Sequence, residues 1–257
     1  MSEVNENQLL DKSQELEKEG LSLEEARKTF NQIDLGNTIC EQSKETLKIA
    51  RVTEKFLQGI YKKMGKEMTF PIDIQSVASK LGFEISVKEK ERDAFRQFNK
   101  VLSKIYVSET VKIIEVDNDI SYKTQQYAIA HSIARYLLWG EEKNAFEKSF
   151  AIPLMPSDLD ELTTDKVALF LLLPLDLFKK EFKSYLSEQK DGKLNVDDWL
   201  QALSDRSQVN LFNLAIGYQQ LKMAAYQERW EEFECYMDAM KSGEAVDFKD
   251  EYEEIFA

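Results

Sequence analysis

The feature that constrains this chain first is its shortage of chain-breaking residues, with nine glycines and four prolines among 257 residues. Positive-φ turns and proline stops are both scarce, so collagen-like and low-complexity architectures are excluded and helices are favoured. Apolar residues make up 43% of the chain and aromatics 11%, enough to bury a core in one large domain or two small ones. Forty-seven acidic side chains against 34 basic ones give a formal charge of −13. That balance argues against a broad phosphate-binding face, and so against direct contact with nucleic acid. Two cysteines, Cys40 and Cys235, are too few and too far apart for a disulfide scaffold or a zinc ribbon. The opening MSEVNENQ has none of the features of a signal peptide. The longest apolar run, VALFLLLPL at 167–175, is about half a membrane span and contains Pro174. The expectation is a soluble, cytoplasmic protein with no membrane partner.

Three segments follow from the patterning. Residues 1–66 read as an N-terminal helical segment. Its first twenty residues are polar and loosely docked, and Ser22 and Glu25 form a capping box. The helix this box opens carries Ala26, Phe30 and Ile33 on one face and stops at Gly36-Asn37. A longer helix runs over 38–64, with Leu47, Ala50, Leu57, Tyr61 and Met64 in a stripe too wide for a two-stranded coiled coil. Residues 67–190 change texture: a short helix closed by Gly82, then alternating Phe83, Ile85 and Val87, and β-rich runs at 105–107 and 111–116. These predict a small three-stranded sheet over about 83–117, after which everything reads helical. Residues 191–257 form a C-terminal helical region with an acidic tail.

The stretch YAIAHSIARYLLW at 127–139 is the informative one, because it holds His131, the only histidine of the chain. A single histidine excludes two-histidine metal sites but permits Ser–His–Asp or Cys–His chemistry. No base lies near Cys40 or Cys235 in sequence, which speaks against a thiol nucleophile. His131 and Arg135 fall one turn apart on one face of a buried helix. That is the spacing at which an HExxH helix places two zinc-binding imidazoles, with a glutamate at the second position to activate water.

In order, spacing and flanking residues, FPIDIQSVASKLGFEI at 70–85, YAIAHSIARYLLW and ELTTDKVALFLLLP at 161–174 resemble the ImmA/IrrE family of metallopeptidases. The resemblance covers a little under half the chain. It implies an α+β, predominantly helical protein, a zincin-like core with a small sheet flanked by N- and C-terminal helices. His131 matches the family's first zinc-binding histidine. The departures fall on the chemistry: Ser132 stands in place of the general-base glutamate and Arg135 in place of the second histidine. Glu161 matches a carboxylate ligand position, and Thr163 occupies the neighbouring candidate. A catalytic zinc site needs about three protein ligands and a water position, and His131 and Glu161 supply two at most.

The resemblance therefore implies the scaffold and withdraws the activity. The expected protein is a pseudo-metallopeptidase without cofactor, regulating by binding a protein partner such as a helix-turn-helix repressor of a mobile element or stress regulon, the kind that active family members cleave. Two alternatives stay open. One is an active zinc endopeptidase with a non-standard metal site on His131 and Glu161. The other is an acidic decoy mimicking DNA phosphates, since residues 224–257 hold 11 acidic against 3 basic side chains. Arg135 either pairs with Glu161 in place of a metal or points to solvent. Tyr226, Trp230, Phe233, Met237 and Met240 recur at helical spacing. Such stripes are more often core than partner site, and Trp230, Phe233 and Met237 are the residues a partner would use. SEQKDGKLNVDD at 187–198 resembles a calcium-binding loop, but Ser187 and Asp198 occupy its first and last ligand places, so a turn is expected.

Overall fold

The computed structural model describes residues 20–30, 32, 39–88, 101–139, 146–151, 159–188 and 195–242. The side chains at 39–40, 101, 146–151, 159–161, 216 and 232–242 are not among those described. The helix expected before residue 20, the Gly36-Asn37 stop, Cys40 and Cys235 as side chains, and the centre of the 187–198 turn lie outside. In chain order the elements are α1 (Leu23–Phe30), α2 (Ile39–Met64), α3 (Ile74–Lys80), β1 (Glu84–Lys88), β2 (Val101–Val107), β3 (Lys112–Asp117), α4 (Tyr122–Trp139), β4 (Phe146–Ala151), α5 (Leu159–Leu172), α6 (Leu175–Glu188), α7 (Val196–Ser207) and α8 (Leu211–Ser242). The class is α+β and mostly helical. No helix among the described residues is long and apolar enough to cross a membrane.

The three expected strands form, and a fourth joins them in the order β1-β3-β2-β4. β1 lies parallel to β3, while β2 is antiparallel to both β3 and β4. The expected three-stranded sheet and all-helical remainder are corrected by β4. Its sequence, FEKSFA, has too little alternation to register as a strand, and pairing with β2 from Val107↔Phe146 to Val101↔Ala151 supplies what propensity does not. Register matters on the inner face: Ile114 lies opposite Ile85 on one side and Ile105 on the other. Ile105 and Ile114 are fully buried, and a slip of one residue would turn both to solvent.

α4 lies on that inner face. Every residue from Gln126 to Leu137 is buried, because β2, β3 and β4 pack beneath it and α1, α3 and α5 around it. α2 runs across α1, α5 and α8, burying Leu47, Ala50, Phe56, Leu57, Ile60 and Tyr61. α7 seats Trp199, 1% exposed, against Phe178, Phe182 and Tyr218. One hydrophobic cluster runs from Ala26 in α1 to Ala224 in α8.

The helix ends are closed as their sequences direct. Ser22 and Glu25 form the reciprocal box, with the Ser22 amide donating to Glu25 at 2.8 Å and the Glu25 amide to the Ser22 hydroxyl at 3.3 Å. Asp73 accepts from the Ser76 amide at 3.0 Å to start α3. The end of α4 is closed from elsewhere: Arg27 of α1 donates to the Tyr136 carbonyl at 2.8 Å and stacks 4.2 Å above the Tyr136 ring. A cation is favourable there because the last carbonyls of a helix carry partial negative charge. Lys112 donates to the Tyr136 hydroxyl at 2.6 Å. Burial alone would raise that hydroxyl, but the Lys112 hydrogen bond and the Arg27 charge outweigh it and hold it below the ordinary phenol range.

The N-terminal strand of chain crosses α2 at two glycines. Gly20 takes φ +70°, and a Cβ built on Gly59 would sit 2.8 Å from the Leu21 carbonyl oxygen. The approach is fixed by a hydrogen bond from the Leu21 amide to the Lys55 carbonyl at 3.0 Å. In an open mid-helix position, Gly→Ala stabilises by about 1 kcal/mol. Here the methyl meets backbone, so Gly59→Ala is expected to destabilise by roughly 1–3 kcal/mol. Denaturant titration reads the sign directly.

Glu54 of α2 is buried where α6 and α8 meet it, accepting from the Asp176 amide at 3.2 Å. Burial raises its carboxyl to about 7, Asp176 and Glu228 adding to the rise and the amide and Lys179 opposing it. Between about 4.5 and 7 the folded chain therefore holds a proton that the unfolded chain has lost. Its contribution is full below about 4.5 and falls away as pH rises through 7, by about 3 kcal/mol in all. Glu54→Gln should leave stability near pH 4.5 little changed and raise it at pH 8, as melting temperatures across that range will show.

Candidate functional site

α4 carries His131, Ser132 and Arg135, and α5, packed against it, carries Glu161, Thr163 and Asp165. Successive helical residues point about 100° apart, so neighbours on α4 look at different partners. His131 turns toward α5. It is fully buried, with Nε2 3.3 Å from Oδ1 of Asp165, whose side chain is 36% exposed. The Tyr127 hydroxyl, one turn before His131, donates to the same oxygen at 3.2 Å. A tyrosine, an imidazole and a carboxylate thus converge, and Asp165 is the member that reaches the surface.

Ser132, the next residue, turns toward the sheet instead. Its hydroxyl donates to the Ala128 carbonyl at 3.0 Å and lies 3.0 Å from the hydroxyl of Ser103 on β2, which donates to the same carbonyl at 3.2 Å. It is 2% exposed. The hydroxyl ties helix to strand and has no basic group to activate water.

Arg135 is 6% exposed, its guanidinium carbon 5.8 Å from the centroid of the Trp139 ring. The alternative in which it points to solvent is overturned by that burial. The Glu161 side chain lies outside the described residues, so the alternative pairing with Arg135 is left as a proposal. Thr163 is half-buried on α5.

The residue that sequence reasoning missed is Asp165. It sits one turn beyond Glu161 on α5, and one turn is the spacing that places two helical residues on the same face. The signal was present: Asp165 is the last acid before the apolar run VALFLLL. The resemblance favours Glu161 and Thr163 as the ligand positions instead.

Among the described residues no group of three His, Cys, Asp or Glu side chains could hold an ion. His131 and Asp165 are two donors, and Arg135 on the same helix carries a permanent positive charge. The turn at 187–198 is described only at its end. There Asp198 accepts from the Asn195 amide group at 2.7 Å in the first turn of α7, whose N-cap is Asn195.

The aromatic stripe of α8 departs from the core expectation where it is described. Tyr226 is 58% and Trp230 55% exposed, one turn apart; the side chains of Phe233 and Met237 lie outside. Two acids of the same helix are engaged internally: Glu228 with Lys179 at 2.6 Å and Glu231 with Arg51 at 2.8 Å. Comparison with models of known protein families gives no match for this chain. No curated protein matches it significantly.

The Tyr127–Asp165–His131 cluster makes a sharp structural prediction. Removing the carboxylate takes the acceptor at 3.2 Å from the Tyr127 hydroxyl and the negative charge from beside the His131 imidazole. Asp165→Ala should therefore cost roughly 1–3 kcal/mol, and Tyr127→Phe, which loses a single hydrogen bond, about 1 kcal/mol. Chemical denaturation of both variants checks the order.

Proposed function

We propose that this chain is a protein-binding module built on an ImmA/IrrE-like, zincin-type scaffold that has given up peptidase chemistry. The observation that carries this reading is the environment of Ser132, where the resemblance would place a water-activating glutamate. The side chain there is a buried hydroxyl bonded to its own helix and to the sheet, and loss of a general base typically costs 10²–10⁴-fold in rate. Arg135 supports the same conclusion, since a buried guanidinium fills the position of a second metal-binding imidazole. In this reading the Arg135–Glu161 ion pair links α4 and α5 as a metal otherwise would. The packing of α4 on a small mixed sheet, with α5 against it, is compatible with such a scaffold. A protein that keeps this surface and lacks the chemistry captures its partner without cutting it. By resemblance that partner is a DNA-binding regulator, a helix-turn-helix repressor for example.

One observation favours a second reading. The 3.3 Å between His131 Nε2 and Asp165 Oδ1 is also about the edge of a tetrahedron with ~2.0 Å metal bonds. A zinc held by His131, Asp165 and Glu161 would restore a three-ligand set, and with it a weak endopeptidase.

Elemental mass spectrometry on the full chain, expressed in zinc-supplemented medium, separates the two. The capture reading expects zinc far below one per chain, unchanged by His131→Ala. One zinc per chain, lost with His131→Ala, overturns it in favour of the enzyme.

A further inference from the structure

β1 closes one end of the sheet, and among the described elements β3 is the strand it pairs with. In a parallel pair alternate residues turn both backbone groups toward the neighbouring strand. The Lys88 carbonyl accepts from the Asn118 amide at 3.2 Å, which turns the backbone groups of Glu84, Ser86 and Lys88 toward β3. The amides and carbonyls of Ile85 and Val87 therefore point away from the sheet. Phe83 ends this edge, its amide donating to the Ala78 carbonyl at 3.0 Å. Outward donors and acceptors in such a row are a template for one further strand. Val87 beside them is 54% exposed, on the same face as Ile85, which packs against the core.

The strand is complementary to itself. Two copies of EISVK laid antiparallel and centred on Ser86 set Ile85 opposite Val87 of the other copy, Ser86 opposite Ser86, and Glu84 opposite Lys88. Ile85 and Val87 then exchange both backbone bonds on each side of the axis, so every outward group of the edge is used. On the inner face the exposed Val87 gains a β-branched neighbour, and on the outer face each Glu84 meets a lysine. Lys88 already holds Glu115 of β3, and an ammonium with three donors can take a second carboxylate. Centring the pair on Ile85 instead would put Val87 opposite Phe83, whose amide is taken. No like charges and no apolar side chain against a charge arise in the Ser86 register, which selects a second copy over a strand of arbitrary sequence. We propose that β1 is the interface between two copies of this chain, joined antiparallel about a two-fold axis at Ser86 so that one sheet runs through both. The contact is isologous, and its shortness places it among weak, reversible dimers.

Sedimentation equilibrium on the full chain, from roughly 10 to 1,000 μM, covers the range where so small an interface dissociates. The expected result is a concentration-dependent monomer–dimer equilibrium. Val87→Pro removes one outward donor from each copy and leaves the β1–β3 ladder whole. It should raise the dissociation constant about tenfold or more while the circular dichroism stays that of the parent. Val87→Lys, which leaves the backbone untouched, should weaken the dimer in the same direction. Register is read by cross-linking in a Cys40→Ser, Cys235→Ser background. Ser86 falls in a non-hydrogen-bonded pair, where the two Cα atoms lie about 4.5 Å apart, within the span of a disulfide. Ser86→Cys should therefore give a covalent dimer under mild oxidation, and Glu84→Cys, held away from its own copy, should not. A monomer at every concentration overturns the proposal. A dimer indifferent to both Val87 variants, or one that cross-links as readily through Glu84→Cys, overturns it equally.

Discussion

A polar group taken out of water calls for a partner from whatever packs against it, and α4 carries Gln126, His131, Ser132 and Arg135 within its buried stretch. The neighbours are arranged accordingly. β2 offers Ser103 to Ser132, α5 offers Asp165 to His131, and α1 reaches over with Arg27 to finish the last turn. Since an unmade buried hydrogen bond costs more than a made one returns, these contacts do more to fix how sheet, α5 and α1 sit around α4 than to add stability. The apolar core supplies the driving force and the polar contacts of α4 set the alignment.

That division explains why the same helix can carry a functional motif in one protein and a structural one in another. His131 and Ser132 are adjacent in sequence but answer to different layers, one to a helix and one to a strand. A zinc peptidase would need both to face a common cleft holding metal and water. Here the hydroxyl at the second position is drawn into the helix–sheet contact, and the imidazole meets the Asp165 carboxylate.

Much of the architecture was legible because its signals are local. The Ser22–Glu25 box, the Asp73 cap, the stripe of α2 and the alternation of β1 and β3 each depend on residues within a few positions of one another. What escaped was set by contacts distant in sequence. β4 becomes a strand because β2 is there to pair with it, which FEKSFA does not announce. Asp165 becomes the partner of His131 through the way α5 crosses α4, and an i to i+4 ambiguity along α5 cannot be resolved without that crossing. The α8 stripe reads the same in sequence whether it is buried or exposed. Only the packing of Leu214, Leu221 and Ala224 against α2 and α5 decides which face is turned outward.

The cap that Arg27 places on α4 joins residues 109 positions apart, and this gives the chain a built-in order of assembly. During synthesis α1 emerges long before the helix end it is to close, and an eight-residue helix holds little structure alone. The Arg27 guanidinium can meet the Tyr136 carbonyl only after that later stretch has been made, so this closure waits on chain far downstream. The cap on α4 is therefore complete only once α1 and the last turn of α4 have met.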